Sequence, residues 1–491
     1  MPSAPSPSTS TSTSADPYRF KWLILAVMLT AEILDLIDAT IVNVAGPSLE
    51  ASLGAGSTGL QWVIGGYALT LGAGLILGGR LGDRFGRRTM FLIGLISFTL
   101  MSLLCAVAPS IGMLIAFRLI QGFSAAILLP QGLGLLRAAF PPREIGKAFA
   151  VFGPVFGLAG IAGPIIGGAI IQADLFGLGW RAVFLVNLPV GIAAIVIAWI
   201  VVPRTAGDRS ITIDLVGSAI MVLSSALLVL PLVQGENAGW PAWTWLCIAA
   251  SLVGFYLFTR RQKSRLDAGK TPLVTPGIFR KPAYLVGLGG IGLFFCGTVG
   301  AQLVFTLFLQ LGEQFSAGEA GVSSLPLAIG TLIGGAVSGA LLADKLGRAV
   351  LQIGGVFQIA GVVWLFIALG DISDFSIWQL APGLLLTGIG SGFVVASLFN
   401  VILGTVDDDE VGSASGVLTA VQSIFSAVGV AVLGSVFFAG LDAGDPGQGF
   451  RTALLVQGGL IVVFLLLSPL FPVRARPEEP ALAEEEPALA E

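Results

Sequence analysis

Three carboxylates, Glu32, Asp35 and Asp38, recur at intervals of three inside the otherwise apolar run WLILAVMLTAEILDLIDATIVNVAGP. Each step of three turns an α-helix by about −60°, so the acids share a sector of roughly 120° and can line one wall of a cavity. A low dielectric disfavours the ionised carboxylate, and neighbouring like charge disfavours it further. Acids placed in this way are suited to taking up and releasing protons. A single cation, Arg118, lies in a second apolar run, IGMLIAFRLIQGFSAAILLPQGLGLL. A guanidinium keeps its proton, so it calls for a counter-charge, and the three acids are the candidate partners. An Arg that closes on a carboxylate drives its proton off, and withdrawal lets the proton return, which makes a switch when helices move. Plainer alternatives stay open: an acid that only caps or bridges to another helix, and an Arg held in a static bridge.

The elements that carry these groups follow from composition. Of the 491 residues 55% are hydrophobic and only 11% charged, where a soluble chain carries about 25% charged residues, and the mean hydropathy is +0.93. The expected class is an all-α polytopic membrane protein, and 67 glycines suit closely packed membrane helices. Apolar runs of bilayer length place spans near 22–45, 58–79, 89–108, 111–134, 145–171, 182–202, 212–232 and 241–259. Six more fall near 283–310, 319–343, 349–369, 376–403, 409–440 and 451–472, for an expected total of fourteen transmembrane helices.

Orientation and internal symmetry rest on one charged knot, GGRLGDRFGRR, between two of these runs. Its Gly79, Arg80, Asp83, Arg84, Gly86, Arg87 and Arg88 must sit at a membrane surface, and clustered Arg marks that surface as cytoplasmic. Apart from Arg118, Arg181 and Arg451, every Lys and Arg then falls on the cytoplasmic side, with both termini. A weaker copy, SGALLADKLGRAV, sets Asp344 and Arg348 opposite Asp83 and Arg87, 261 residues later. Two halves of one plan are expected, a known transporter architecture. The knots are spaced by eight spans, two more than a six-span repeat needs, so the expected organisation is a disordered N-terminus (1–20), a six-helix bundle (21–203), two extra helices and a basic loop (204–281), a second bundle (282–472) and an acidic disordered tail (473–491). The first 18 residues are not read as a signal peptide, since no basic region precedes a short apolar segment. Asp83, ringed by Arg at the ends of two spans, is read as a cytoplasmic latch that pairs with Arg or caps a helix of the neighbouring repeat in one conformational state.

Other groups narrow the chemistry. No His is present, and Cys105, Cys247 and Cys296 each fall inside apolar runs, so neither a disulfide framework nor a metal or other cofactor is expected. No nucleophile with a base and no nucleotide-binding loop points to an enzyme. The expected partners are a small-molecule substrate, protons and the lipid bilayer, with no nucleic acid, for a chain acting as a monomer. In the run AFAVFGPVFGLAGIAGPIIGGAII, Gly160, Gly163, Pro164, Gly167 and Gly168 give a smooth, bent face for close helix contact, which serves either as a seal or as ordinary packing. Gln61, Trp62, Tyr67, Gln121, Gln302, Phe305, Gln310 and Asn400 are candidate groups of a substrate cavity, although most polar groups in such bundles simply bond another helix.

These stretches together resemble the major facilitator superfamily. GGRLGDRFGRR is similar to its loop motif between the second and third spans, RLIQGFSAAILLPQG to its fourth-span motif, and AGIAGPIIGG to the fifth-span motif of antiporters. LIDATIVNVAGPSL, WRAVFLVNLPVG and the count of fourteen resemble the drug:proton antiporter branch with two extra central helices. The resemblance covers about 22–472. It implies the major facilitator fold, two six-helix bundles rocking about a midplane cavity in the plasma membrane, and export of drugs or other amphiphilic, cationic small molecules against an inward flow of protons. It further implies proton coupling at Asp38 and Arg118; Glu32 and Asp35 are additional to the single first-span acid of that branch, and the second half has no Arg to match Arg118. A dedicated exporter of one endogenous metabolite or antibiotic is the alternative, with a proton symporter behind it.

Overall fold

A segment that crosses lipid must satisfy its backbone hydrogen bonds internally, which for long apolar runs means helices. The computed structural model describes residues 20–140, 162–204, 206–235, 238–338, 346–370, 376–407 and 410–471. The helices are α1 (Lys21–Ile41), α2 (Gly46–Leu53), α3 (Gly56–Phe85), α4 (Arg87–Ala106), α5 (Ile111–Ala139), α6 (Ala162–Ala173), α7 (Arg181–Leu185) and α8 (Asn187–Val201). They continue as α9 (Leu215–Gln234), α10 (Ala242–Asp267), α11 (Pro282–Leu307), α12 (Ala317–Ser323), α13 (Leu325–Val337), α14 (Arg348–Ala368), α15 (Ile377–Leu403), α16 (Val411–Asp442) and α17 (Pro446–Leu467).

Among the described residues there is no strand, and twelve helical stretches are long and apolar enough to cross a membrane. The acid-bearing α1 and the short α6 stand outside that twelve. Two runs read as unbroken spans are interrupted: α7 gives way to α8 just before Pro189, and α12 to α13 just before Pro326, because proline lacks the N–H that would continue the ladder. The second break follows a capping box in which Ser316 Oγ accepts from the Glu319 N–H at 3.3 Å and Glu319 Oε2 accepts from the Ser316 N–H at 2.9 Å.

The helices pair on one plan used twice. In the first half α5 packs on α1, α3 and α4, and α8 on α1 and α4; in the second, α15 packs on α11, α13 and α14, and α17 on α11 and α14. Glycines mark matching crossings: Gly122 of α5 lies against Tyr67 and Thr70 of α3, and Gly388 of α15 against Leu327 and Thr331 of α13. Close approach of backbones is how helices hold together where lipid is as apolar as the side chains. The halves meet along α3 and α16, where Gly72 lies against Ala420 and Ser423, and along α6 and α12, where Gly168 lies against Ala317. Outside this arrangement α9 packs on α3 and α16, and α10 packs on α9.

The two ends of the molecule differ. Away from the Arg-rich knot, one continuous apolar cluster joins Val44, Leu49 and Leu60 of the first half to Leu307, Phe308 and Phe437 of the second. Toward the knot the apolar residues split into separate clusters, one around Phe91 and Leu135 and another around Leu351 and Leu398. Between them opens a cavity of about 910 Å³.

Candidate functional site

The acids of α1 reach this cavity and the wall behind it. Glu32 and Asp35 line the cavity, with Gly79, Arg80 and Asp83 at its mouth. Asp38, one turn farther, is fully buried against α5 and α8. The spacing suggests one cavity wall shared by all three acids; in the structure only Glu32 and Asp35 line the cavity, because Asp38 turns into the first bundle to meet α5 and α8.

Arg118 is also fully buried, and its Nη1 donates to Asp38 Oδ2 in an ion pair. The same nitrogen donates to Gln121 Oε1 at 3.0 Å, and Nε donates to the carbonyl of Val63 at 3.1 Å. Its guanidinium lies 4.2 Å from the centre of the Tyr67 ring, and Tyr67 donates its hydroxyl proton to Asp35 Oδ1. The remaining oxygen of Asp38 is filled as well: Oδ1 accepts from Gln121 Nε2 at 3.0 Å and from Asn187 Nδ2 at 2.8 Å. Asn187 also donates to Ser102 Oγ at 3.0 Å.

Magnitudes explain why these groups come together. An Arg at the centre of a membrane helix costs about 2.5–3.5 kcal/mol on insertion scales, and each hydrogen bond to a charged group returns about 1.5–3 kcal/mol. A single contact is marginal, whereas the ion pair with two further acceptors offsets the cost, even though Nη2 has no partner among the described residues. Asp38 in turn has three of its four acceptor positions occupied by donors. The carboxylate is thus enclosed by the Arg118 guanidinium and the side-chain amides of Gln121 and Asn187.

Tyr67 and Gln121, read from sequence as cavity groups, therefore belong to the charged network. Gln61 is buried between the halves and donates to Ser435 Oγ at 3.3 Å, and Trp62 packs with Leu69, Val229 and Val233 beside α9. Gln302 and Phe305 line a small separate cavity inside the second half. Gln310 is buried in the turn after α11, and its Nε2 has no partner among the described residues. The side chain of Asn400 lies outside the described residues, as do Asp344 and Gly160. Asn187 and Ser102 complete the charged network from α8 and α4. The sequence signal for Asn187 is an Asn in an apolar run two residues before a Pro, where a broken helix lets a polar side chain reach its neighbour.

At the knot, Arg87 Nη2 donates to Asp83 Oδ1 at 2.9 Å, and Arg80 stands 4.0 Å from the other oxygen. Gly86, at φ 93°, makes the turn between α3 and α4, a conformation open to residues without a Cβ. Arg84 donates to the carbonyl of Ile211 at 2.6 Å, and Arg88 to that of Trp199 at 2.6 Å. Arg348 donates to the carbonyls of Pro469 at 2.6 Å and Phe471 at 3.1 Å. Arg88 and Arg348 thus do the same work, each bonding carbonyls at the end of its own half's last helix, although alignment of the knots had paired Arg348 with Arg87. On α6, Gly163 and Gly167 lie against Thr40 and Ile41 of α1, and Pro164 offers its carbonyl side to Gly321 of α12.

A bundle of apolar helices built twice on one plan, with a charged network buried in one copy, is the architecture of a membrane carrier. A family model described as Major Facilitator Superfamily matches residues 28–430, and the chain belongs to that superfamily; it is a multi-pass membrane protein. It is 43% identical over 426 residues to a probable actinorhodin transporter of Streptomyces coelicolor, covering 86% of this chain and 73% of that one. It is 31% identical over 455 residues to the methylenomycin A resistance protein of Bacillus subtilis, covering 91% and 94%. The crystal structure of a D-xylose-proton symporter superposes with a TM-score of 0.66 at 15% identity, over 92% of this chain and 98% of that one. Its relatives are antibiotic and multidrug efflux transporters of this superfamily.

Proposed function

We propose that this chain is a proton-driven antiporter that exports amphiphilic small molecules across the plasma membrane by alternating access. The observation that carries the reading is the series of acids on α1, with Asp35 facing an open cavity and Asp38 locked behind it by Arg118. On this reading the chain spans the bilayer fourteen times, counting α1 and the run that ends in α6, with the knot and both termini in the cytoplasm. The arrangement described is then open to the cytoplasm and sealed on the outer side by the apolar cluster around Leu49, Leu60 and Phe437.

The cycle follows from these parts. Cargo enters the cavity beside Glu32 and Asp35. The halves rock, the outer cluster parts, and the helices around Asp38 shift so that Arg118 loosens its hold. Protons from outside then neutralise the acids, cargo is released, and the return brings the protons inward. Asp83 and the Arg residues beside it line the mouth that must close in the other state, with the N-terminal residues Val411 and Ser413 of α16 across from them. A carboxylate that reaches that helix end stabilises the closed mouth.

A second reading, a dedicated exporter of one metabolite or antibiotic, is favoured by the relative at 43% identity, which is named as a transporter of a single compound. The two are separated in proteoliposomes with an imposed pH gradient and an interior pH dye. Proton movement triggered by a lipophilic cation, and not by neutral or anionic amphiphiles, supports a broad exporter of cations. Movement with none of them favours the dedicated exporter. Uptake of cargo along an inward proton gradient contradicts antiport.

A further inference from the structure

We propose that the second half holds an uncharged subsite that takes one hydroxylated ring of the transported molecule. The proposal deepens the export reading and rests on it for the origin of that ring.

The subsite occupies the place that the charged network occupies in the first half. Gly122 on α5 and Gly388 on α15 pack equivalently, against Tyr67 and Thr70 in one case and Leu327 and Thr331 in the other. Stepping back one residue and then a further turn reaches Gln121 and Arg118 in the first half, and Thr387 and Leu384 in the second. Likewise Gly191 of α8 packs on Thr99, and Gly458 of α17 on Val362. Four residues before these glycines stand Asn187 and Leu454, and three after their partners stand Ser102 and Leu365. Leu384, Thr387, Leu454 and Leu365 all line one cavity of about 120 Å³. The second half has thus replaced an Arg, an amide and a hydroxyl by Leu, and a space has opened where they would meet.

The size and lining of that space select a ligand class. An apolar cavity of about 150 Å³ binds benzene, and this one, at about 120 Å³, is of the same order and holds no more than a single ring. None of its lining residues is charged, and an ionised group would enter without a counter-charge. The rings of Phe305 and Phe450, with centroids 6.2 Å apart, supply aromatic surface. Thr331 and Thr387 spend their hydroxyl protons on the carbonyls of Leu327 at 2.9 Å and Gly383 at 2.8 Å, so they offer lone pairs to the cavity. Gln302 and Gln457 line it with side-chain amides that make no hydrogen bond among the described residues, and Gln457 is only 4% exposed. These amides donate. A ring bearing a hydroxyl meets both needs, its oxygen accepting from an amide N–H and its O–H donating to a threonine oxygen.

The test uses the full chain in lipid nanodiscs, with 4-fluorophenol as the probe and fluorobenzene as the probe that lacks the hydroxyl, both read by fluorine NMR. Saturable binding of 4-fluorophenol, weakened about tenfold by Gln457→Leu and again by Thr387→Val, with fluorobenzene bound more weakly throughout, is the expected result. Thr387→Val keeps the shape of the site and serves if Gln457→Leu fails to fold. No saturable binding, equal binding of the two probes, or binding unchanged in both variants overturns the subsite. The measurement needs no flux: specific binding without proton-driven export keeps the subsite and removes the export reading, and export without binding does the reverse.

Discussion

Asp38 accepts from Arg118, Gln121 and Asn187 at once, and the strength of each contact depends on the others being made. Removing the carboxylate leaves a fully buried guanidinium without its counter-charge. Asp38→Ala should therefore lower stability by about 3–5 kcal/mol, and Asp38→Asn, which keeps an acceptor for Arg118, by clearly less. Thermal unfolding of the purified variants checks that order. Arg118→Lys should cut proton-driven flux to about a tenth or below despite keeping the charge, because an ammonium cannot donate at once to Asp38, Gln121 and the carbonyl of Val63 with the same planar geometry. Transport assays at matched expression decide this. The acids and Arg118 were legible in the sequence because charge in an apolar run is conspicuous. Asn187 was not, since it meets Asp38 across 149 residues and only the packing of α8 on α1 brings them together.

At the scale of elements, the helices were readable from apolar run length, and their interruptions less so. Pro189 and Pro326 stand within runs of bilayer length, where proline is tolerated, so whether each breaks a helix depends on the neighbours that take up the freed groups. The glycines that matter also looked like one class in the sequence. In the structure, Gly122 sits at the α3–α5 crossing, where a Cβ would meet the backbone carbonyl of Tyr67, whereas Gly112 faces open space. Gly122→Val should abolish folding or flux, and Gly112→Ala should leave both unchanged, as size-exclusion profiles and transport would reveal. The extra helix pair is tied down by Asp214, which caps α9 through the Gly217 N–H at 3.0 Å and pairs with Arg261 at 2.8 Å. Burial pushes its carboxyl up, but the hydrogen bonds from Arg261 and the Gly217 N–H outweigh this and hold it below the usual carboxylate range. A group held low in the folded state contributes stability that is present above its ordinary range and lost as pH falls through the folded value. Asp214→Asn should thus lower the melting temperature at neutral pH, with the gap to the parent protein closing as the pH falls into the carboxylate range.

For the whole molecule, the two-fold plan was visible from the echo of the charged knot, but which end is closed was not, because either state uses the same helices. The continuous cluster around Leu60, Leu307 and Phe437, against the separate clusters toward the knot, makes the state readable. A cysteine placed at Thr419, which lines the large cavity, in a Cys247→Ser background should react with an impermeant thiol reagent from the side of the knot, and one at Leu60 should not react from either side. On the antiport reading, Asp38 couples proton entry to cargo exit. The most direct measurement compares the parent protein and Asp38→Asn in proteoliposomes for two fluxes of the same cargo, accumulation driven by a pH gradient and exchange of labelled for unlabelled cargo with no gradient. Asp38→Asn should lose driven accumulation and retain exchange. Driven accumulation at the parent rate in that variant would contradict that coupling.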